Sequence, residues 1–127
     1  MKDDIALYGA LYYYMIMDLS DLMKALSDVN RLRILNLLQG DTLCVCDLED
    51  ILGLNQANLS RHLAKLRSTG LVSSQKRGLF TYYSRLPLPE PYKGMGDLLY
   101  ASMRRDALFR EDLAALGKKH KKTVKSC

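Results

Sequence analysis

Cysteine is scarce in this 127-residue chain: there are three, an odd number, and no two are spaced Cys-x-x-Cys. That spacing rules out a zinc ribbon and argues against a disulfide-built scaffold. Histidine is scarcer still, with His62 inside a helix-like run and His120 in a basic tail. Neither is placed to activate a cysteine nucleophile, so the chain is not expected to be an enzyme. Long apolar runs are also missing. The most apolar stretch, "IALYGALYYYMIM" at residues 5–17, is about a dozen residues, short of the roughly 20 that cross a bilayer. It has neither the basic flank nor the small-residue cleavage site of a secretion signal. These absences predict a cytoplasmic chain with reduced thiols and no membrane partner. No internal repeat is visible, and the basic tail is the only biased segment.

What is present is an ordinary globular balance, 48% hydrophobic and 26% charged, with a net charge of +5. One domain is expected over residues 1–117, followed by a flexible basic tail at 118–127 that carries Cys127. The positive charge permits an anionic partner, and the tail by itself is equally consistent with a solvated segment.

Residues 18–39 place Leu22, Leu26, Val29, Leu32, Leu35 and Leu38 at helical spacing. Ser27-Asp28 interrupts the run as a stop and a fresh N-cap, which predicts two helices, the second closed by Gly40. From Asp47, Leu48, Ile51 and Leu52 form a short amphipathic turn stopped at Gly53. Asn55 then caps a helix that Gly70 ends. Two helices about three residues apart, with glycine in the turn, are a helix-turn-helix. After it, "LVSSQKRGLFTYYSRL" predicts a β-hairpin turning at Lys76-Arg77-Gly78. Three prolines then interrupt regular structure, and residues 93–117 resume helical periodicity. The expected fold is mainly α with a small β-hairpin: a winged helix-turn-helix, dimeric through its N- and C-terminal helices.

The second helix of such a unit reads DNA in the major groove. Over Gln56–Ser68, steps of 100° gather Leu59, Leu63 and Leu66 on one stripe. Asn58, Arg61, Lys65 and Ser68 fall opposite, with Gln56 at the start and Ser60 at the flank. Arg61 suits a bidentate contact to guanine, and Lys76 and Arg77 at the hairpin tip suit phosphates. Gln56, Asn58, Ser60, Arg61, Lys65, Lys76 and Arg77 are therefore the candidate contacts to double-stranded DNA. His62, at the edge of the apolar stripe, is expected to be a half-buried packing residue.

Cys44 and Cys46 sit in "DTLCVCDLEDILG". Residues two apart do not face each other within a helix, so the pair can grip one ion only if a helix starts around them. With Cys44 at the N-cap and Cys46 in the first turn, the positive helix end favours the thiolate that binds soft metals. Soft ions such as As(III), Cd(II) or Pb(II) call for three or four sulfurs, and Cys127 is the remaining one. Three roles stay open for the pair: buried small hydrophobes, a redox pair, or part of a metal clamp. Pairing of Cys44 with Cys46 is expected to be geometrically unfavourable, so a redox switch would need Cys127.

The segments "ALSDVNRLRILNLL" and "LCVCDLEDILGLNQANLSRHLAKLRSTGLV", with the wing through "TYYSRL", resemble the ArsR/SmtB metal-sensing repressors, in the arsenical-resistance repressor branch. The resemblance covers roughly residues 22–86. It implies a homodimeric repressor on operator DNA, released when a thiophilic ion binds. Cys44 and Cys46 match the sensing cysteines of Leu-Cys-Val-Cys-Asp-Leu, and Ser60-Arg61 match the DNA-reading Ser-Arg. Glu49 stands where some relatives carry a third cysteine. Residues 1–43 lack the cysteines of the cadmium and lead branch, and residues 97–117 lack the histidine of the zinc branch. The resemblance thus implies As(III), or Sb(III), as inducer, with Cys127 as third ligand. A cadmium- or lead-responsive repressor and a redox-sensing repressor are the alternatives.

Overall fold

The computed structural model describes residues 18–122. The apolar run at 5–17, expected to help form a dimer, and Cys127 lie outside the described residues. Asp18 caps helix α1 (Leu19–Leu26), accepting the Asp21 N–H at 2.8 Å. Asp28 then caps α2 (Val29–Leu37) through the N–H groups of Asn30 and Arg31. The expected stop at Ser27-Asp28 is therefore real. Gly40 does not close α2, however: the C-cap is Leu38, whose N–H returns to the Ile34 carbonyl at 3.1 Å.

Strand β1 (Leu43–Cys44) leads into α3 (Val45–Leu52), and α4 (Gln56–Ser68) follows after a three-residue turn. Gly53 ends α3 in the left-handed region, φ 68°, and donates to the Glu49 carbonyl at 2.9 Å. Any side chain there would be strained, so the tight turn depends on glycine. At the end of α4, Leu71 N–H bonds the Leu66 carbonyl and Gly70 N–H the Arg67 carbonyl. That pair of bonds closes the helix and turns the chain into the wing.

The wing is β2 (Val72–Arg77) and β3 (Phe80–Arg85), antiparallel and paired from Val72↔Arg85 to Arg77↔Phe80. The turn is therefore Gly78-Leu79, with Lys76 and Arg77 on the last rungs instead of in the turn. β1 adds a third strand, with Leu43 opposite Tyr83 and Cys44 opposite Tyr82, giving the order β1-β3-β2. The expected hairpin is thus a three-stranded sheet.

The periodic run after the prolines divides into α5 (Lys93–Met103) and α6 (Ala107–Lys122). Asp106 makes the break, its carboxylate accepting the Leu108 N–H at 2.9 Å. The basic segment from residue 118, expected as a flexible tail, continues α6 as helix to Lys122.

Leu22, Ile34, Leu35, Leu37, Leu48, Leu59, Leu63 and Leu66 form the centre of one core, and Leu116 of α6 joins it. Alternate burial of leucines on four helices is what fixes their faces: each stripe loses apolar area to water only in this packing. Two polar links fasten α6 to α2. Arg33 makes a two-pronged pair with Asp112 at 2.8 and 2.9 Å, and the fully buried Asn36 donates to the Phe109 carbonyl at 3.0 Å. Met103 lies on one of the C-terminal helices expected to form the dimer, and it is buried within the single chain.

Candidate functional site: a sulfur pair behind the DNA-reading helix

The first turn of α3 supplies the sulfurs. Cys44 is its N-cap, extended at φ −80° and ψ 162°, and its Sγ accepts the Asp47 N–H at 3.4 Å. Cys46 is two residues on, already helical. Because the chain changes from strand to helix between them, both side chains swing to one side, and the two Sγ atoms lie 2.7 Å apart. Direct pairing of Cys44 with Cys46 was expected to be geometrically unfavourable, yet the bend from strand to helix brings the two Sγ atoms together without the tail. Cys44 is buried at 1% exposure while Cys46 is half-buried, so the pair meets solvent from the Cys46 side.

The same helix, α3, is tied to α6. Lys119 bonds Asp50 Oδ2 at 2.7 Å and lies 3.5 Å from Oδ1 of the buried Asp47. The Asp50 hydrogen bond outweighs partial burial and, with the Asp47 charge, holds the Lys119 ammonium above the ordinary lysine range. Asp47 also sits in the first turn, where a carboxylate complements the exposed N–H groups. Nothing local in the sequence joins Asp47 to Lys119, which lie far apart along the chain.

Asn55 caps α4 by accepting the Asn58 N–H at 2.8 Å. Leu59, Leu63 and Leu66 are buried, and Gln56, Ser60, Arg61 and Lys65 are exposed, so the helix presents the expected polar face. Asn58 is half-buried and holds the Arg61 guanidinium by a side-chain hydrogen bond. Lys76 and Arg77 are exposed on the wing, Arg77 lying over the Tyr82 ring at 5.0 Å. Arg67, absent from the candidate contacts, bridges α4 to the wing by bonding Ser74 Oγ at 3.0 Å. His62 is 13% exposed, 3.3 Å from Arg31 Nη1 and 3.9 Å from Asp28 Oδ1, a packing position as expected.

The structure also joins the two sets of candidate residues. Cys46 shares one cleft of about 370 Å³ with Gln56 and Ser60 of α4, and the wing turn forms its far wall. Glu49, in the place of a third cysteine, lines the same cleft. Among the described residues, no three His, Cys, Asp or Glu side chains cluster as a metal site. Among the described residues the shell for a soft ion is therefore two sulfurs, fewer than the three or four such ions call for. No described helix is long and apolar enough to cross a membrane.

Residues 28–74, the span from the cap of α2 through the start of the wing, match the family described as "Bacterial regulatory protein, arsR family". The chain is also similar to the solved structure of HlyU from Vibrio cholerae N16961. That likeness has 36% identity and a TM-score of 0.57, covering 65% of this chain and 87% of that one. The chain belongs to the arsR family. Two family relatives carry names that specify a resistance. The cadmium resistance transcriptional regulatory protein CadC of Listeria innocua is 45% identical over 65 residues, 50% of this chain and 55% of that protein. The arsenical resistance operon repressor of Escherichia coli is 45% identical over 67 residues, 52% of this chain and 57% of that protein. The chain thus spans a little over half the length of the curated relatives it matches. The fold is the winged helix-turn-helix, and its sheet has three strands.

Proposed function

We propose that the protein is a DNA-binding transcriptional repressor that acts as a homodimer and leaves its operator when As(III), or Sb(III), binds Cys44 and Cys46. One observation carries this reading: the two sulfurs converge at the N-terminal turn of the helix that supports α4, and Cys46 shares a cleft with Gln56 and Ser60. Drawing both sulfurs onto one ion must rearrange Cys44, the cap of α3, and so disturb the seat of the reading helix. Arsenite then has to bind the DNA-free form more tightly, since a ligand shifts an equilibrium only by its differential affinity. Arg61 and Asn58 would read bases, Gln56, Ser60 and Lys65 would lie along the groove, and Lys76 and Arg77 would hold phosphates. Cys127 is the proposed third sulfur. Exposed apolar side chains at Leu19, Met23, Met95 and Leu98 support association of two copies.

A second reading is favoured by the facing sulfurs themselves. Oxidation of Cys44 and Cys46 by peroxide, two electrons and two protons leaving the pair, would alter the same helix cap. The deciding experiment is anisotropy of an operator duplex, selected by the protein from a random pool, with separate titrations of arsenite, cadmium, zinc and peroxide. Release by arsenite under reducing conditions is expected. Release by peroxide alone would establish the redox reading in its place, and release by cadmium alone would make it a cadmium sensor.

A further inference from the structure

A lone exposed leucine is ordinary on a protein surface, so what matters about Leu79 is its position and its company. The last rung of the wing pairs Arg77 with Phe80, and Gly78, at φ 61°, makes the tight reversal between them. Leu79 is therefore the side chain at the apex. It is 92% exposed, more than any other large apolar side chain among the described residues, and Phe80 behind it is 42% exposed.

Successive residues of a strand point to opposite faces, so Lys76 and Arg77 put one cation on each face of the ribbon, just below that apex. Both are exposed. Arg77 is also held in place: its Nε and Nη2 donate to Gln75 Oε1 at 3.3 and 3.1 Å, and its guanidinium lies over the Tyr82 ring. The tip is thus a blade with an apolar edge and positive sides. A site that fits it has an apolar floor between two negative walls. The minor groove of DNA has that form, with phosphates along both rims and, once a base step opens, an apolar interior between the stacked bases. Arg67 ties the wing to α4 through Ser74 Oγ at 3.0 Å, so with α4 seated in the major groove the tip stands over the adjacent rim of the duplex.

We infer that Leu79 is a minor-groove wedge: it enters between two base pairs, opens the step and bends the operator, while Lys76 and Arg77 grip the rims. The inference rests on the proposed function, with α4 in the major groove, and adds a second source of sequence preference. Wedging costs least at pyrimidine–purine steps, which unstack readily, and most in stiff A-tracts. The wing then selects DNA by its deformability, without hydrogen bonds to base edges.

The test uses the full chain, its Leu79→Ala and Leu79→Met variants, and an operator duplex selected by the parent from a random pool. Leu79 is exposed, so both variants should keep the parent's urea midpoint. A 2-aminopurine scan along the operator finds the step that opens. Resonance transfer between dyes at the duplex ends reports the bend, and anisotropy gives the affinity for duplexes with TA, CA or AA at that step. The parent should brighten 2-aminopurine at one step in each half-site and favour TA over AA there by about tenfold. Leu79→Ala should lose the brightening, reduce the bend and bring those two duplexes within about twofold, with the salt slope unchanged because no charge is lost. Leu79→Met, still an apolar wedge, should retain all three signals. If Leu79→Ala weakens every duplex alike, or matches the parent on all of them, the inference is overturned and the repressor reading stands. Phosphatidylglycerol vesicles and sedimentation of the DNA-free chain test the other occupants. A change in vesicle binding or self-association without a change in the DNA signals would assign the apex to lipid or to a second copy, and the wedge would be wrong. A parent chain that enriches no duplex from the pool would defeat the proposed function, and the wedge with it.

Discussion

Cys44 has two separable duties, and a pair of substitutions divides them. Its Sγ caps α3 through the Asp47 N–H, and the side chain is 1% exposed. In Cys44→Ser a hydroxyl, a stronger N-cap acceptor than sulfur, takes over the cap and contributes up to about 1 kcal/mol. Burying that hydroxyl in place of an apolar thiol costs a similar amount, about 1 kcal/mol, so net stability should change little. Cys44→Ala removes the cap altogether and should lose about 1 kcal/mol, within a range of about 0.5–2. Urea unfolding measures this, with a lower midpoint for the alanine variant and an unchanged slope. Induction follows a different pattern. Neither oxygen nor methyl replaces a soft thiolate, so in both variants the arsenite coupling should collapse from about 1–3 kcal/mol, roughly 5–150-fold in DNA affinity, to nearly nothing. The signature is two variants that differ in stability and agree in failing to release DNA. If Cys44→Ser releases operator at the parent's arsenite concentration, the sulfur pair is not the sensor. Equal stability of the two variants would show that the cap contributes nothing.

Four further outcomes are expected. Arg61→Ala should weaken specific binding by about 1–3 kcal/mol and relax base preference, measured by competition among operator variants; a change confined to overall affinity would transfer base reading to another residue. Lys76→Ala and Arg77→Ala should weaken all sequences alike and each reduce the slope of log K against log salt by about 1. Asp112→Ala leaves the Arg33 guanidinium, 17% exposed, without its partner, and should cost about 3 kcal/mol in urea unfolding, whereas Arg33→Met with Asp112→Leu should recover most of it. The fourth concerns pH. Burial pushes the Asp28 carboxyl up, but the Arg31 and Asn30 N–H groups, with the neighbouring His62 and Arg31 charges, bring it below the ordinary aspartate value. A group lowered on folding stabilises above its unfolded value and loses that contribution as pH falls through the folded one. Helical circular dichroism should therefore weaken below about pH 4, and Asp28→Asn should remove that part of the acid dependence.

The sequence by itself determined whatever depends on neighbours along the chain. Asp28 and Asn55 announce helix starts because a carboxylate or amide two or three residues ahead satisfies otherwise orphaned N–H groups. Gly53 and Gly70 announce stops because the left-handed turn excludes most other residues. Leucines at 59, 63 and 66 set which face of α4 is buried, and hence which residues are left for DNA. Asp106 carried the same kind of cap signal for α6, and the continuing leucine periodicity obscured it. Tertiary structure decided the remainder. Two residues of strand at Leu43–Cys44 have no period of their own and exist because Tyr82 and Tyr83 offer a sheet edge. Register with β3, not the glycine alone, put Lys76 and Arg77 on rungs and left Gly78-Leu79 as the turn. Lys119 reaches Asp47 and Asp50 because α6 packs back across the domain. The same folding sets the side from which the sulfurs are open. Spacing shows that Cys44 and Cys46 are near each other; only the approach of α4 and the wing, made by residues far along the chain, places a cleft beside them.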